Sequence, residues 1–320
     1  MLSRTADHVY WMSRYIERAE NTARMLDVNV QTSLLPQSRE EAELGWKAML
    51  SICELQADYA KRKLDFSPQA VLNFMVCDPD NTSSIYSCLQ SARENARAVR
   101  GTLTTEVWET YNTTWLELNK HLDDGLLHTA PSQFFEWVKF RSHLSRGVVF
   151  GTMLKDETFH FIRAGSFLER ADNTARLLDV KFHSLPFSPT GDPDLPTDQH
   201  ADYYHWAAIL RSVSAFEVYR RVYRDLITPA RVAELLILRA DMPRSLICSI
   251  DELYTTLTAV RNRYSADTER RVGRLRADLL YGHIEDILQT GLHAYLTNFL
   301  ERVNDLGNRI SNDFLVPLNG

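Results

Sequence analysis

Glycine and proline are scarce in this chain, 12 and 11 among 320 residues. With so few turn-formers, and no run of strictly alternating apolar residues, a sheet-rich fold is excluded. Cysteine is scarce too. The four, Cys53, Cys77, Cys88 and Cys248, form no Cys-x-x-Cys pair, which argues against a zinc knuckle or a disulfide scaffold and for buried thiols in a reducing compartment. No apolar run approaches the roughly 18 residues of a membrane span. Met1-Leu2-Ser3-Arg4 leads straight into a polar helix with no signal-peptide core, so a cytoplasmic protein without membrane partners is expected. Positive charge is not in excess: 36 Lys and Arg face 42 Asp and Glu, a net charge of -6. A general nucleic-acid binder needs a basic surface, so none is expected here, and an anionic partner would have to meet a local patch.

Familiar catalytic signatures are absent as well. No glycine-rich loop follows a strand, no Walker pattern occurs and no nucleophile elbow exists. Glu157-Thr158-Phe159-His160 is a single Glu-x-x-His, whereas helical di-iron sites need two such pairs and further carboxylates. Neither metal nor cofactor is therefore expected. His160 and His8 each stand nine residues before a motif glutamate. That spacing is about 180° around a helix, so no single helix can carry a His/Glu site. A lone histidine on an apolar arc is expected to be a core residue with its hydrogen bond satisfied.

What is present is helical periodicity almost everywhere, broken at Leu35-Pro36, Asp65 to Pro68, Asp78 to Asn81, Gly125 to Pro131 and the proline-rich stretch 184–199. One string also occurs twice. Tyr15-Ile16-Glu17-Arg18-Ala19-Glu20-Asn21-Thr22-Ala23-Arg24-Met25-Leu26-Asp27-Val28 returns 152 positions later as Phe167 to Val180, with ten of fourteen residues identical. Further on, Trp46 and Tyr59 meet Trp206 and Tyr219 at an offset of 160. Ser67-Pro68 meets Thr228-Pro229 at 161, both reading as an N-cap followed by proline at the first helical position. The growth in offset locates an insertion at 184–199. The expected architecture is an all-α helical bundle of two tandem, duplicated halves, 1–152 and 153–320, with about six helices each and short antiparallel connections. Gly147 and Gly151 share a small-x-x-x-small spacing that marks ordinary packing in a soluble protein.

Placed at 100° intervals, Met12, Tyr15, Ile16, Ala19, Ala23 and Leu26 form an apolar stripe, while Ser13, Glu17, Glu20, Asn21 and Arg24 fall on the opposite arc. Arg18 stands about 100° from Glu17, so the two point to different neighbours. Three readings of the charged arc stand. It is a solvated face, with Glu20–Arg24 as an exposed i,i+4 pair and Glu17 reaching Asn21. Or the two copies pack near a pseudo-twofold axis and exchange buried Glu–Arg pairs. Or Arg24 and Arg176, with Arg18 and Arg170, line a cleft between the halves that holds a carboxylate or phosphate. Arg93-Glu94-Asn95-Ala96-Arg97 is a partial third copy, and Arg239 to Arg244 reads as a helix-entry turn. The arginine-rich run from Arg261 to Arg276 is interrupted by Asp267 and Glu269, as a solvated helix face would be.

The opening Met1 to Ala6, Tyr10-Trp11-Met12, the two Glu-Arg-Ala-(Glu/Asp)-Asn-Thr-Ala-Arg turns, Gly151 to Glu157 and Pro243-Arg244-Ser245 together resemble the bacterial alpha-E family, over essentially the whole chain. Arg163-Ala164-Gly165-Ser166 departs from the Gly-Arg expected before the second motif. The resemblance implies partners: an ATP-grasp-type ligase and transglutaminase-like proteins, in peptide synthesis or modification. Carried onto this chain, the motif marks Glu17, Arg18, Glu20, Asn21 and Arg24, then Glu169, Arg170, Asp172, Asn173 and Arg176, then Arg93, Glu94, Asn95 and Arg97 as candidate binding residues. The leading expectation is a non-catalytic ligand-binding or scaffold subunit. The alternatives are an enzyme of peptide or amide metabolism using Glu17 or Glu169 as acid/base, and a purely structural module.

Overall fold

Two long helices carry the repeated string and form the spine of the molecule. In a computed structural model, which describes residues 2–34, 38–63, 65–183 and 199–315, α1 spans Ser3–Ser33 and α9 spans Glu157–His183. Between them run α2 (Arg39–Ile52), α3 (Gln56–Lys61), α4 (Pro68–Val76), α5 (Ile85–Ala98), α6 (Thr105–Asp123), α7 (Leu126–Thr129) and α8 (Pro131–Thr152). After α9 come α10 (Gln199–Ser212), α11 (Phe216–Tyr223), α12 (Pro229–Ile237), α13 (Leu246–Ala259), α14 (Ala266–Leu280), α15 (Ile284–Thr290) and α16 (Leu292–Ile310), closed by a π-helical turn at Ser311–Leu315. The described residues hold helices and no strand. Each series contains eight α-helices where about six were expected. The surplus comes from pieces such as α3 and α7, six and four residues long, too short to show a period.

The caps follow the sequence signals. Ser67 Oγ accepts the Ala70 N–H ahead of α4, and Thr228 Oγ1 accepts the Arg231 N–H ahead of α12, each followed by proline at the helix start. Ser84 and Ser245 cap α5 and α13 in the same way, 161 positions apart. Non-glycine residues in the left-handed region recur in step, Glu54 with Ser214 and Lys63 with Arg224, near helix C-termini. The core aromatics correspond too. Trp46, Tyr59, Trp206 and Tyr219 are all buried. Tyr59 Oη donates to the Asp65 carbonyl at 3.3 Å and Tyr219 Oη to that of Leu226 at 2.8 Å. The stretch to which the insertion was assigned lies, up to residue 198, outside the described residues, as does the Leu35-Pro36 break.

Helix α1 packs against α9, α5 and α8, and α9 packs in turn against α13 and α16. The crossing of α1 and α9 depends on Gly165, where a Cβ would fall 2.3 Å from the Tyr10 carbonyl oxygen and 2.3 Å from Ser13 Oγ. Only glycine admits so close a backbone approach. Gly147 and Gly151 do the opposite of what their spacing suggested: a Cβ on either would meet nothing within 4 Å. Among the described residues no helix is long and apolar enough to cross a membrane.

Candidate site: a buried exchange of glutamate and arginine

Because α1 is covered on both sides, its charged arc is interior. Glu17 and Glu20 are 0% exposed and Arg24 is 8% exposed, which overturns the solvated-face reading. Water has been replaced by guanidinium groups. Glu17 accepts a two-pronged bond from Arg170 Nε and Nη2 at 2.9 and 3.0 Å, with Arg146 Nη1 at 2.8 Å and Arg244 Nη1 at 3.2 Å. Glu20 accepts from Arg24 Nε at 2.8 Å, Ser142 Oγ at 2.7 Å, Arg146 Nη1 at 2.5 Å and Arg244 Nη2. The Glu20–Arg24 i,i+4 pair therefore forms, but as a buried pair. Asn21 is not reached by Glu17; its Oδ1 accepts from Arg244 Nη1 at 2.8 Å, and its Nδ2 is buried without a partner.

Electrostatics follow from that crowding. Burial pushes the Glu17 carboxyl up, but Arg170, Arg146 and Arg244 outweigh it and hold the group below its ordinary value. Glu20 lies well below for the same reason, through Arg244, Arg146 and Arg24. Arg244 is the strained member: burial, with Arg170 and Arg24 nearby, pushes it down to about 10 in spite of both glutamates. His143 closes the cluster at the surface. Its Nε2 stands 3.0 Å from Arg24 Nη2 and its Nδ1 3.0 Å from Arg146 Nη2. A neutral imidazole can accept only one of those donors. Burial and the two arginines hold His143 below its usual value.

The second copy makes a smaller cluster. Glu169 accepts Arg18 Nε at 2.6 Å and Nη2 at 3.2 Å, and Arg14 Nε at 2.8 Å. Burial is outweighed by Arg18 and Arg14, and the Glu169 carboxyl falls to about 2. Asp172 is gripped by Arg176 from the same helix at 2.8 and 3.0 Å, and Arg176 also meets Glu54. The arginine of each motif thus binds the glutamate of the other, Arg18 to Glu169 and Arg170 to Glu17, as the pseudo-twofold reading expected.

Other sequence expectations meet mixed outcomes. Arg24 and Arg176 do not converge on one cleft: Arg24 turns to Ser214 and His143, Arg176 to Glu54. The third fragment stands apart, with Arg93 and Arg97 on Glu94 and with Asn95 Oδ1 2.8 Å from His8 Nδ1. Asn173 is half-buried, and Thr174 Oγ1 beside it donates to the Arg244 carbonyl at 3.1 Å. His160 Nδ1 is buried with no partner, contrary to the expectation of a satisfied histidine. All four cysteines are free. Among the described residues no cluster of three or more His, Cys, Asp or Glu could hold a metal. Sequence reasoning passed over Arg14, Ser142, His143, Arg146 and Ser214, and it quoted Arg244 without a role.

Fold and site together define an all-helical domain whose two longest helices exchange glutamate–arginine pairs at a buried charged centre. The chain belongs to the Alpha-E family, described as a predicted alpha-helical domain with a conserved ER motif, whose model matches residues 1–315. It is similar to an uncharacterized protein of Mycobacterium bovis, 24% identical over 94% of this chain and 35% of the relative. Uncharacterized proteins of two Mycobacterium tuberculosis strains are 24% and 23% identical over the same shares. This chain thus spans about a third of the length of the curated relatives it matches. No solved structure matches it.

Proposed function

We propose that this domain is a non-catalytic binding and scaffold subunit acting beside an ATP-grasp-type ligase in peptide synthesis or modification, with transglutaminase-like proteins as further partners. Its Glu17–Glu20 centre takes a small carboxylate or phosphate. One observation carries this reading: four guanidinium groups, of Arg24, Arg146, Arg170 and Arg244, share two buried carboxylates. Buried charge left uncompensated is costly, and an anion at the His143–Arg146 rim would offset it. That rim is open, the His143 and Arg146 side chains being 53% and 29% exposed. The enzyme alternative loses ground because Glu17 and Glu169 are held ionised far below neutrality, leaving no proton to donate and little basicity. Relatives about three times as long support a module that works next to other protein, and four free thiols fit a cytoplasmic setting. The matched caps and offsets support reading the halves as a duplication.

The structural alternative draws on one fact: every motif arginine has a protein partner. Calorimetric titration of the chain with inorganic phosphate and with acetate separates the two. Saturable binding that weakens about tenfold or more in Arg146→Ala is expected, the loss of a charge-assisted pair. No binding at millimolar anion leaves the structural module as the answer.

A further inference from the structure

Helices α8 and α16 stand in corresponding places, α8 against α1 and α16 against α9. At the step where α8 offers Arg146 to Glu17 and Glu20, the offset of 161 puts Gly307 on α16. Its neighbour is not a carboxylate but Leu168, whose Cδ2 would stand 3.4 Å from a Cβ. A pocket of about 310 Å³ opens beside it. Tyr10, Trp11 and Arg14 of α1, Asp172 of α9, and Asn304 and Asn308 of α16 line it.

Two features of that wall call for a donor. The Tyr10 residue is 1% exposed, and its hydroxyl lies near Arg14 without forming a hydrogen bond. Asp172 faces the pocket with a single arginine, Arg176, where its counterpart Glu20 has three. Burial accordingly leaves the Asp172 carboxyl above its ordinary value in spite of Arg176, while Glu20 sits far below. One centre is oversupplied with cations and the other is short of one.

We propose that this pocket binds the ammonium group of a small primary amine, of amino-acid size. The amine stands against Asp172 where the other half places the Arg146 guanidinium, with the Tyr10 hydroxyl and the Asn304 and Asn308 amides as further acceptors. Trp11 offers a ring face for the cation, as it already does for Arg14, whose Cζ lies 4.7 Å from the ring centre. The volume stands at the lower end of ligand pockets, which suits a molecule of that size. This site is separate from the anion centre and does not depend on it.

Titration calorimetry on the full chain with glycinamide, a primary ammonium lacking a carboxylate, tests the proposal, with acetate as the anionic control. Glycinamide should bind one to one. Gly307→Leu, which fills the pocket from a helix-interior position with room at Leu168, should weaken it about tenfold or more, and so should Asp172→Asn. Circular dichroism and a thermal melt establish that each variant folds; Gly307→Leu keeps the test decisive if Asp172→Asn does not. The idea is overturned if glycinamide fails to saturate at tens of millimolar, if Gly307→Leu binds it as the parent does, or if acetate takes the site instead. Phosphate probes the other centre, so its failure to bind would not affect this result.

Discussion

Replacing Glu17 by alanine leaves Arg146, Arg170 and Arg244 facing one another out of water. Removing one partner of a buried pair costs about 3 to 5 kcal/mol, and Glu17→Ala should lose at least that much in denaturant unfolding. Arg97→Ala, on the half-exposed α5 pair with Glu94, should change stability by roughly 0 to 1 kcal/mol. The same contrast explains what could be read from the residues alone. The helical wheel correctly separated Glu17 from Arg18, because the angle between neighbours is fixed by the helix. It could not tell water from α8 on the far arc, since a polar face reads alike in both settings. Arg146 and Arg244 arrive from α8 and from the turn before α13, outside the repeated string, so nothing local marked them. A surplus of arginine near a buried carboxylate appears only once the helices are placed.

At the level of the helix, two glycines that look alike in sequence have opposite consequences. Gly165→Ala drives a methyl into the Tyr10 carbonyl and Ser13 and should part α1 from α9, with a loss of several kcal/mol, on the order of other overpacked cores. Gly147→Ala adds a methyl in open space on α8 and should stabilise by about 0.5 to 1 kcal/mol, the propensity gain of alanine over glycine. Thermal melts of the two variants should therefore move in opposite directions. The helices themselves were legible wherever a cap stood beside a long apolar period, as at Ser67-Pro68 and Thr228-Pro229. Helix α7, four residues long, gives no such period. The spacing of Gly147 and Gly151 misled because packing depends on what lies opposite, which one helix does not disclose.

For the whole molecule, the glutamates couple stability to acid. The Glu169 carboxyl titrates near 4.5 when free and at about 2 when folded. A lowered folded value contributes stability that is full above the unfolded value and disappears as pH falls through the folded one. Glu17 and Glu20 shift in the same direction. Stability should hold from neutrality down to about pH 5 and then fall steeply between about 4.5 and 2, as urea midpoints across that range would reveal. Since Arg18–Glu169 and Arg170–Glu17 tie the two halves, the loss should be a single transition by both fluorescence and circular dichroism. The pairing of Arg146 on one side with Gly307 on the other carries a different consequence. Two identical half-chains meeting about a twofold axis must present the same residue at both places, and so make two like centres. A continuous polypeptide is released from that symmetry, so one flank of its spine can accumulate cations while the other stays hollow.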